Sequence, residues 1–378
     1  MEKFLPEICT IQYGFPFDSA KFSTSEGMPL IRIRDVVRGY SETFTTEEYK
    51  EEYIVSKDDL LIGMDGEFNI AKWGETPALL NQRVCRLFPT SEVDKNYLFY
   101  FMPSALKRIE EKTPFVTVKH LSAKELNKVK VPLPPLDEQR RIAAVLDKIS
   151  GLIAKRREQL DKLDELVKAR FVEMFGDPVL NPMDWPTYQL ADMADIVSGI
   201  TKGRKTKEQD LIEVPYMAVS NVKDGYIDWT TIKTIWATQS EIDQYRLLPD
   251  DVLMTEGGDP DKLGRGAIIQ NPLENCIHQN HIFRVRLNEN IILPVYFAEF
   301  LQHQKAKQYF LRCAKQTTGI ASINMTQLKE LPTLVPPRAL QKDFTNTVEQ
   351  INKSKLTIQQ SLDKLEVLKK ALMQQYFG

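Results

Sequence analysis

The sequence contains two copies of one unit, and this internal repeat constrains the fold more than any other feature. The segment VPLPP at 131–135 has a counterpart in TLVPP at 333–337, which lies 202 positions later. The same offset relates three further pairs: LDKL at 160–163 and 362–365, Lys168–Ala169 and Lys370–Ala371, and Phe175–Gly176 and Phe377–Gly378. One offset therefore holds from about residue 118 to residue 176, so the back part of each copy has a fixed length.

Upstream of residue 118 the copies still match, but the offset changes from place to place. The matched positions are Gly14 and Gly199, Asp58–Leu61 and Asp250–Leu253, Gln82 and Gln279, and Arg86 and Arg284, with offsets of 185, 192, 197 and 198. The joint at 177–182 is a proline and asparagine turn cluster, typical of a linker. We expect a first front domain at 1–136, a first spacer helix at 137–176, a linker at 177–185, a second front domain at 186–337 and a second spacer helix at 338–378.

The back part of each copy has the pattern of a long amphipathic helix. In the first copy Pro134–Pro135 blocks a helix upstream, Asp137 can cap the new amide donors, and Gly176 supplies the stop. Apolar residues recur at 3–4 spacing over four heptads, which predicts a helix from Asp137 to Met174, roughly 57 Å long. The expected pairing positions are Leu146, Ile149, Ile153, Leu160, Leu163, Val167, Val348, Ile351, Ile358, Leu362, Leu365 and Leu372.

Charged residues within the apolar faces of the two predicted helices favour pairing of the helices with each other. Arg156 and Arg170 stand where the second copy has Ile358 and Leu372. Each helix therefore carries charge where the other carries apolar side chains, and unlike pairing suits both. Two independent surface helices remain the alternative.

The front parts alternate β-rich runs with turns, and each has a helical stretch near its end. The predicted strands are 29–34, 59–63 and 83–87 in the first copy, and 214–219, 251–254 and 281–285 in the second. Helical stretches follow at 96–111 and 295–314. The predicted fold class is therefore α+β, with one small twisted sheet in each front domain.

Composition limits the class of protein. The chain has 378 residues, of which 42% are hydrophobic and 27% charged, and its formal net charge is −2. These values exclude a basic tail protein and a strongly acidic disordered chain. No apolar run approaches the ~20 residues of a membrane span, and the start has no signal-peptide pattern. Because Cys9, Cys85, Cys276 and Cys313 form no CxxC pair, we expect reduced thiols in a cytoplasmic protein.

Motifs for catalysis are missing from the sequence. It contains no glycine-rich phosphate loop, no methyltransferase cofactor turn and no Asn/Asp-Pro-Pro-aromatic tetrapeptide. Glu110–Lys112 lacks the upstream Pro-Asp of a nuclease. His278 and His281 stand at i and i+3 of a strand-like run, so they are expected on opposite faces. We therefore expect no metal site and no chemistry in this chain.

The order of domain, PLPP-helix, domain and helix resembles the specificity subunit of type I restriction–modification systems over essentially the whole chain. Segments similar to those of the family are VPLPPLDEQ at 131–139, YGFPF at 13–17 and GMDGEF at 63–68. The resemblance implies two target-recognition domains joined by two long antiparallel helices, which form a coiled-coil-like, pseudo-two-fold spacer. One departure is RALQ at 338–341 in place of LDEQ, which leaves the second helix start less well capped.

The resemblance also implies partners and cofactors. A specificity subunit binds double-stranded DNA at a split, asymmetric sequence, one part per front domain, across a gap that is not read. Its helices hold the gap and dock two modification (methyltransferase) subunits, which bring S-adenosylmethionine. A restriction (translocase/endonuclease) subunit adds ATP and Mg. No cofactor and no membrane contact are expected of this chain itself.

Candidate DNA contacts lie where basic, amide and aromatic side chains cluster at matched positions. The basic loop at 201–207 suits phosphate contact or entry into the major groove, and its aromatic counterpart at 13–17 is expected to be half core. Arg32 and Arg34 are expected on one solvent-facing side of a strand.

Two further pairs of matched segments complete the set. The predicted loops at 66–73 and 258–265 carry acceptors and a cation, and 81–83 and 278–281 are rich in amides that can pair with adenine edges. The candidate contacts are Tyr13, Phe15, Arg32, Arg34, Asn69, Lys72, Gln82, Arg83, Thr201, Lys202, Arg204, Lys205, Lys207, Asp259, Lys262, Arg265, His278, Gln279 and Asn280.

The charge balance is the main observation against DNA binding. Neither front part is basic overall, so tight non-specific binding by this chain alone is not expected. A non-catalytic coiled-coil scaffold whose paired domains bind proteins would tolerate this balance. A stand-alone DNA enzyme is a third interpretation, which the missing motifs disfavour.

Overall fold

The computed structural model describes residues 1–74, 76–113, 119–204, 210–258, 263–317 and 320–378, without the side chains of 316, 317 and 320. The chain is mixed α/β and divides into two compact units. Unit 1 comprises residues 1–157 and 359–378, and unit 2 comprises residues 158–358. Each unit therefore contains one portion of each of two long helices.

Unit 1 has short strands and helices ahead of the first long helix. The strands are β1 Glu2–Phe4, β2 Cys9–Tyr13, β3 Phe22–Ser23, β4 Met28–Ile31, β5 Phe44–Thr45, β6 Ile54–Val55, β7 Leu60–Gly63, β8 Asn69–Lys72, β9 Ala78–Leu80, β10 Val84–Pro89 and β11 Lys130–Pro132. The helices are α1 Leu5–Ile8, α2 Ile33–Arg38, α3 Lys95–Lys112 and α4 Ala123–Asn127, followed by the long helix α5 Leu136–Phe175. The sheets have the orders β2-β10-β7-β8, β1-β11 and β3-β5-β4-β9-β6.

Unit 2 follows the same plan. Its strands are β12 Thr187–Gln189, β13 Ala194–Ser198, β14 Ile212–Met217, β15 Lys233–Ala237, β16 Val252–Thr255, β17 Gly257–Gly258, β18 Gly266–Ile268, β19 Ile277–His278, β20 Ile282–Leu287, β21 Lys315–Thr317, β22 Ile320–Ser322 and β23 Pro332–Leu334. Its helices are α6 Gln239–Tyr245, α7 Pro294–Gln302, α8 Gln304–Cys313 and α9 Met325–Lys329, before the long helix α10 Arg338–Phe377. The sheets have the orders β13-β20-β16-β18, β12-β23, β15-β14-β19 and β17-β22-β21.

A four-stranded antiparallel sheet of the same order lies at the centre of each unit. Its second and third strands are β10 and β7 in unit 1, and β20 and β16 in unit 2. Every residue of β7 and β16 is buried, which explains why these strands are continuous apolar runs without alternation. A parallel pair, β4–β9 or β14–β19, also occurs in each unit. The sequence repeat therefore corresponds to a repeat of topology.

In each unit the two long helices share one core. In unit 2 the rings of Phe171 and Phe175, near the end of α5, each lie 5.5 Å from the ring of Phe344, near the start of α10. In unit 1 Leu146, near the start of α5, belongs to the same buried cluster as Phe377, at the end of α10. The helical portions within each unit therefore run antiparallel.

A buried glutamine ties the start of each long helix to its own unit. Gln139 accepts a hydrogen bond from the Asp94 N–H at 2.9 Å and donates to the first proline carbonyl of the preceding Pro-Pro pair at 2.9 Å. Gln341 makes the matching bonds with the Leu293 N–H at 2.7 Å and a proline carbonyl at 2.8 Å. Both copies therefore fix the start of the long helix through the same side chain, whether or not an acid lies in the first turn.

Two predicted elements differ from the structure. The predicted helix at 295–314 is two helices, α7 and α8, because His303 between them is extended and its ring stacks on Phe171 with centroids 4.4 Å apart. The predicted strand at 29–34 ends at Ile31, and helix α2 follows. No helix among the described residues is long and apolar enough to cross a bilayer.

Candidate nucleic-acid interface

At one end of the central sheet in each unit, two backbone segments approach so closely that a side chain is excluded. Gly14 follows β2, and a Cβ atom there would lie 2.1 Å from the Asn81 carbonyl oxygen. Gly199 follows β13, and a Cβ atom there would lie 2.0 Å from the His278 carbonyl oxygen. Glycine is required at both positions because these distances are far inside van der Waals contact.

Backbone hydrogen bonds beside these glycines define how the two units match. The Gln82 N–H donates to the Phe15 carbonyl at 3.0 Å, and the Asn280 N–H donates to the Ile200 carbonyl at 3.0 Å. Phe15 and Ile200 each follow one of the two glycines. Gln82 therefore corresponds to Asn280, and the predicted match of Gln82 with Gln279 is wrong by one residue.

An acid, an arginine and a histidine meet beside this turn in unit 1. Asp65 follows β7, and its carboxylate lies 3.5 Å from Arg83 Nε and 2.5 Å from His120 Nδ1. Asp65 is half-buried, whereas the other two side chains are exposed. The carboxylate therefore orients two exposed donors at the end of the sheet. We call Asp65, Arg83 and His120 the unit 1 cluster.

The corresponding place in unit 2 holds an acid and a histidine. Glu256 follows β16, and its Oε2 lies 2.5 Å from Nδ1 of the exposed His281. The Glu256 N–H donates to the His281 carbonyl at 3.0 Å, as the Met64 N–H donates to the Arg83 carbonyl at 3.0 Å. We call Glu256 and His281 the unit 2 cluster.

His281 lies in the amide-rich segment 278–281 that the sequence predicts near DNA, but it is not among the individual candidate contacts. The available signal was its position directly ahead of β20, which matches the position of Arg83 directly ahead of β10.

Buried guanidinium groups hold the strands that lead to these clusters. Arg86 on β10 lies 2.8 Å from Asp59 Oδ2, and its Nη2 donates to Gln12 Oε1 at 2.6 Å. Arg284 on β20 lies 2.6 Å from Asp195 Oδ2. Their side chains are 8% and 4% exposed, so both arginines are structural residues, and their acids compensate the buried charge.

The aromatic segment after β2 is half-buried. The Phe15 ring lies 5.0 Å from that of Phe17 and 5.5 Å from that of Tyr53. Burial raises the pKa of the Tyr13 hydroxyl to about 12, so this group stays neutral. Tyr13 and Phe15 therefore pack against apolar clusters of unit 1, and the Phe15 backbone bonds to the turn that carries Gln82.

Arg32 and Arg34 are not on a strand, so the prediction that both face one side of a sheet is wrong. The buried Asp35 accepts a hydrogen bond from the Arg32 N–H at 2.9 Å and thereby starts helix α2 at Ile33. Both arginine side chains are exposed at the start of this helix.

The sequence predicts a loop at 66–73, but the segment contains strand β8. Asn69 is half-buried at the start of this strand, and Lys72 is at its end. Lys72 Nζ lies 3.8 Å from Asp147 of α5 and 5.0 Å from the centre of the Phe99 ring. Because Lys72 is engaged with two helices, its predicted role as a DNA contact finds no support in the geometry.

The basic loop of unit 2 contains one anchored arginine. Arg204 Nε donates to Glu241 Oε1 at 2.6 Å, and its Nη2 donates to the Trp236 carbonyl at 3.1 Å. The hydrogen bond from Arg204 holds the pKa of the Glu241 carboxyl below its ordinary value. Thr201 and Lys202 are exposed ahead of it. Arg204 therefore fixes the loop, while the two preceding residues face solvent.

Five further candidate contacts in unit 2 have limited exposure or lie outside the described residues. Arg265 is half-buried, and its Nε has no hydrogen-bond partner in the part of the chain that the structure describes. Four predicted contacts lie outside the described residues: Lys205, Lys207, Asp259 and Lys262.

His278 is fully buried, so the prediction that it contacts DNA is wrong. Its ring nitrogens lie 3.0 Å from the Tyr245 carbonyl and 3.3 Å from the Val197 carbonyl. Burial lowers the pKa of this imidazole to about 4, which keeps it neutral. The neighbouring Gln279 and Asn280 are half-buried.

A comparison with protein families decides where this chain belongs. The family model described as the type I restriction modification DNA specificity domain matches residues 1–164 and 182–369. The chain belongs to this family. Specificity subunits are the non-catalytic components of type I restriction–modification systems, and this family member is accordingly not an enzyme.

Individual relatives agree with the family match. This specificity-domain chain is 28% identical to the type I restriction enzyme EcoBI specificity subunit of Escherichia coli, in an alignment of 377 residues that covers 92% of this chain and 78% of the relative. The S subunit of the type I restriction–modification system from M. genitalium has a similar fold, with a TM-score of 0.60, 14% identity, and coverage of 99% of this chain and 94% of that chain. A structure concerned with complex assembly and conformational transition of the type I R-M system gives a TM-score of 0.57, 16% identity, and coverage of 100% and 97%.

The helix-pairing positions predicted in this specificity-domain chain are all buried or half-buried. Leu146, Ile149, Ile153, Val167, Ile351 and Leu362 are buried, and Leu160, Leu163, Val348, Ile358, Leu365 and Leu372 are half-buried. Ion pairs between the helices lie beside them: Arg157 with Glu366, at 2.7 Å, in unit 1, and Asp164 with Lys355 in unit 2. Within the described ranges, no group of three or more His, Cys, Asp or Glu side chains could hold a metal ion.

Proposed function

We propose that this chain reads a bipartite, asymmetric site on double-stranded DNA, with one front domain for each part. The observation that carries the proposal is that the unit 1 cluster and the unit 2 cluster occupy matched places in two units of one topology. Arg83 and His281 present exposed polar side chains there, each beside an acid and each next to an amide side chain, Gln82 or Asn280. Such polar and amide groups suit base edges in the major groove.

Phosphate contacts are expected to come largely from partner subunits. The formal net charge of −2 and the absence of a basic front part leave little long-range attraction to DNA. Base contacts need only a few clustered side chains, whereas phosphate contacts position the complex. The chain alone should therefore bind DNA weakly, and its complex with modification subunits should bind specifically.

The two long helices would act as the antiparallel, coiled-coil-like spacer that sets the unread gap, with a pseudo-two-fold relation between the halves. They would also dock two modification subunits. Exposed apolar side chains on both helices are available for such docking. They are Val145, Leu152, Val367 and Leu368 in unit 1, and Leu166, Val172 and Leu356 in unit 2.

The cofactors belong to the partners in this proposal. The modification subunits would bind S-adenosylmethionine and methylate the site, and the restriction subunit would use ATP and Mg. This chain would bind neither cofactor.

Selection from random double-stranded DNA, with the chain co-purified with its modification subunits, tests the proposal. We expect enrichment of one split, asymmetric sequence. Arg83→Ala should relax only one half of that sequence and His281→Ala only the other, with a loss of about tenfold to a hundredfold at the affected base. The matched control is Lys353→Ala, an exposed change on α10 that should leave both halves intact.

Exchange of residues 1–130 for the front domain of another family member is the domain-level version of this test. Only one half of the selected sequence should change. A stable complex that enriches no DNA sequence would favour a scaffold that binds proteins, and a change in both halves would contradict independent reading by two domains.

A further inference from the structure

The turn ahead of β20 in unit 2 holds Asn280 by its backbone on both sides. The Asn280 N–H donates to the Ile200 carbonyl at 3.0 Å, and the Asn280 carbonyl accepts a hydrogen bond of 2.5 Å from Ser198 Oγ. Gly199 lies between these two partners, and a Cβ atom there would be 2.8 Å from the Gln279 carbonyl oxygen. The backbone of Asn280 is therefore fixed, and only its half-buried side chain is left to rotate.

The two amide side chains in this turn differ in the groups that they leave available. Gln279 Oε1 accepts a hydrogen bond from the Val219 N–H at 3.3 Å, so the fold already occupies this acceptor. Asn280 Nδ2 lies 3.4 Å from His281 Nε2, and Asn280 Oδ1 accepts no hydrogen bond from the residues that the structure describes. Asn280 is therefore the amide whose acceptor is available for a ligand.

The pair of Glu256 and His281 determines which way the Asn280 amide faces. Glu256 Oε2 lies 2.5 Å from His281 Nδ1, and because a carboxylate can only accept a hydrogen bond, Nδ1 carries the proton. In the neutral imidazole the other nitrogen, Nε2, is then an acceptor. Such an acceptor attracts the amide nitrogen of Asn280 and repels its oxygen. The side chain of Asn280 is thus held with Nδ2 toward the imidazole and Oδ1 away from it.

An amide held in this orientation has a defined complement among the bases. One N–H of the Asn280 side chain is directed at the imidazole, which leaves the second N–H and Oδ1 as a donor and an acceptor side by side. In the major groove adenine presents the matching pair, with its N6 amino group as donor and N7 as acceptor. Guanine presents two acceptors, and its O6 would face Oδ1. The fixed orientation therefore favours adenine and disfavours guanine.

We propose that Asn280 is a specificity-determining residue of unit 2, which pairs with one adenine of the DNA site, and that His281 and Glu256 are positioning residues that hold its amide. This inference rests on the proposed DNA-reading function and adds the base that one residue reads. His281 acts through Asn280, because its Nε2 faces the amide. Gln279, the neighbouring amide, supports the turn and reads no base.

The test uses the chain co-purified with its modification subunits, and the DNA site obtained by selection from random duplexes. Each adenine of that site is replaced in turn by 7-deazaadenine, which lacks the N7 acceptor. For the parent protein we expect one adenine whose replacement weakens binding about tenfold. With Asn280→Ala the same replacement should have no effect, because the amide that donates to N7 is gone. Gln279→Ala is the matched control, and it should keep the response of the parent.

Replacement of the same adenine by guanine tests the two positioning residues. The parent should bind the guanine site about tenfold more weakly than the adenine site. His281→Ala and Glu256→Ala free the amide to rotate, so each should reduce this preference to about threefold or less. A change that only loosened the fold would weaken binding to both sites equally and would leave their ratio intact.

The outcomes separate this inference from the proposed function. If a split site is selected, but no adenine in it shows a response to N7 removal that depends on Asn280, the inference is overturned and DNA reading by the two units stands. If His281→Ala and Glu256→Ala keep the full preference for adenine over guanine, their positioning role is overturned. If no sequence is enriched, the proposed function fails, and this inference fails with it.

Discussion

Gly14 and Gly199 show how one residue type can be required twice for the same reason. Each precedes a residue that bonds to the turn ahead of β10 or β20, and each faces a carbonyl oxygen where a side chain would otherwise be. The sequence repeat places the two glycines at matched positions. The requirement for glycine comes from contacts between segments more than sixty residues apart in the chain.

Gly14→Ala should destabilise the protein and disturb the turn that carries Gln82. The added Cβ would lie 2.1 Å from the Asn81 oxygen, so the backbone must move, and the expected cost is about 1–3 kcal/mol in the free energy of unfolding. Urea denaturation measures this cost.

Gly151→Ala is the matched control for this change. Gly151 lies inside α5 with open space around it, so alanine there should stabilise by about 0.5–1 kcal/mol. Unchanged stability of Gly14→Ala would contradict the close approach.

Side-chain accessibility was the property that the sequence predicted least well. His278 sits among polar residues in the sequence and was expected to contact DNA, yet it is fully buried. Arg32 and Arg34 were expected on a strand, but the buried Asp35 caps a helix there. In both cases a distant or capping partner determines whether the side chain is exposed and which element carries it. The apolar and polar pattern of the neighbouring residues does not reveal that partner.

At the scale of elements, the long helices were the most predictable part of the fold. The predicted span of 137–174 compares with Leu136–Phe175 in the structure, because Pro-Pro, a periodic apolar stripe and Gly176 are local signals. The bonds that Gln139 and Gln341 make were not predictable, since they join each helix start to segments about fifty residues away.

Gln139→Leu and Gln341→Leu should each destabilise the unit that contains the glutamine. Each change removes the bonds to a backbone N–H and a proline carbonyl, which are part-buried for Gln139 and buried for Gln341, at a cost of about 1–3 kcal/mol. Thermal and urea unfolding measure the change, with the exposed Gln360→Leu on α10 as control, for which we expect a change within about 0.5 kcal/mol. Equal stability of all three variants would mean that the glutamines do not hold the helix starts.

At the scale of the whole molecule, we expect the long helices to set the distance between the two half-sites. Insertion of one heptad into both helices, after Arg157 and after Ile358, keeps the register of the apolar stripe. It adds about 10.5 Å of helix, which corresponds to about three base pairs of B-DNA. The selected DNA site should therefore keep its bases and gain a longer gap.

Selection from random DNA with the modification subunits present measures this outcome. Insertion of a heptad into only one helix is the control. It should abolish specific binding, because the residues that pair between the two helices are then shifted against each other by one heptad. A gap of unchanged length in the double insertion would show that the helices do not set the spacing.

The sequence alone determined the repeat, the two long helices and the family resemblance, because these depend on periodicity, local stop signals and segments that recur at a constant offset. Only the tertiary structure decided which polar residues are exposed, that Arg83 corresponds to His281, and that Trp185 of the linker covers the end of α5 within unit 2. The physical reason is that burial, ion pairing and packing depend on contacts between residues far apart in the chain. A helical repeat pattern depends only on residues close together in the sequence.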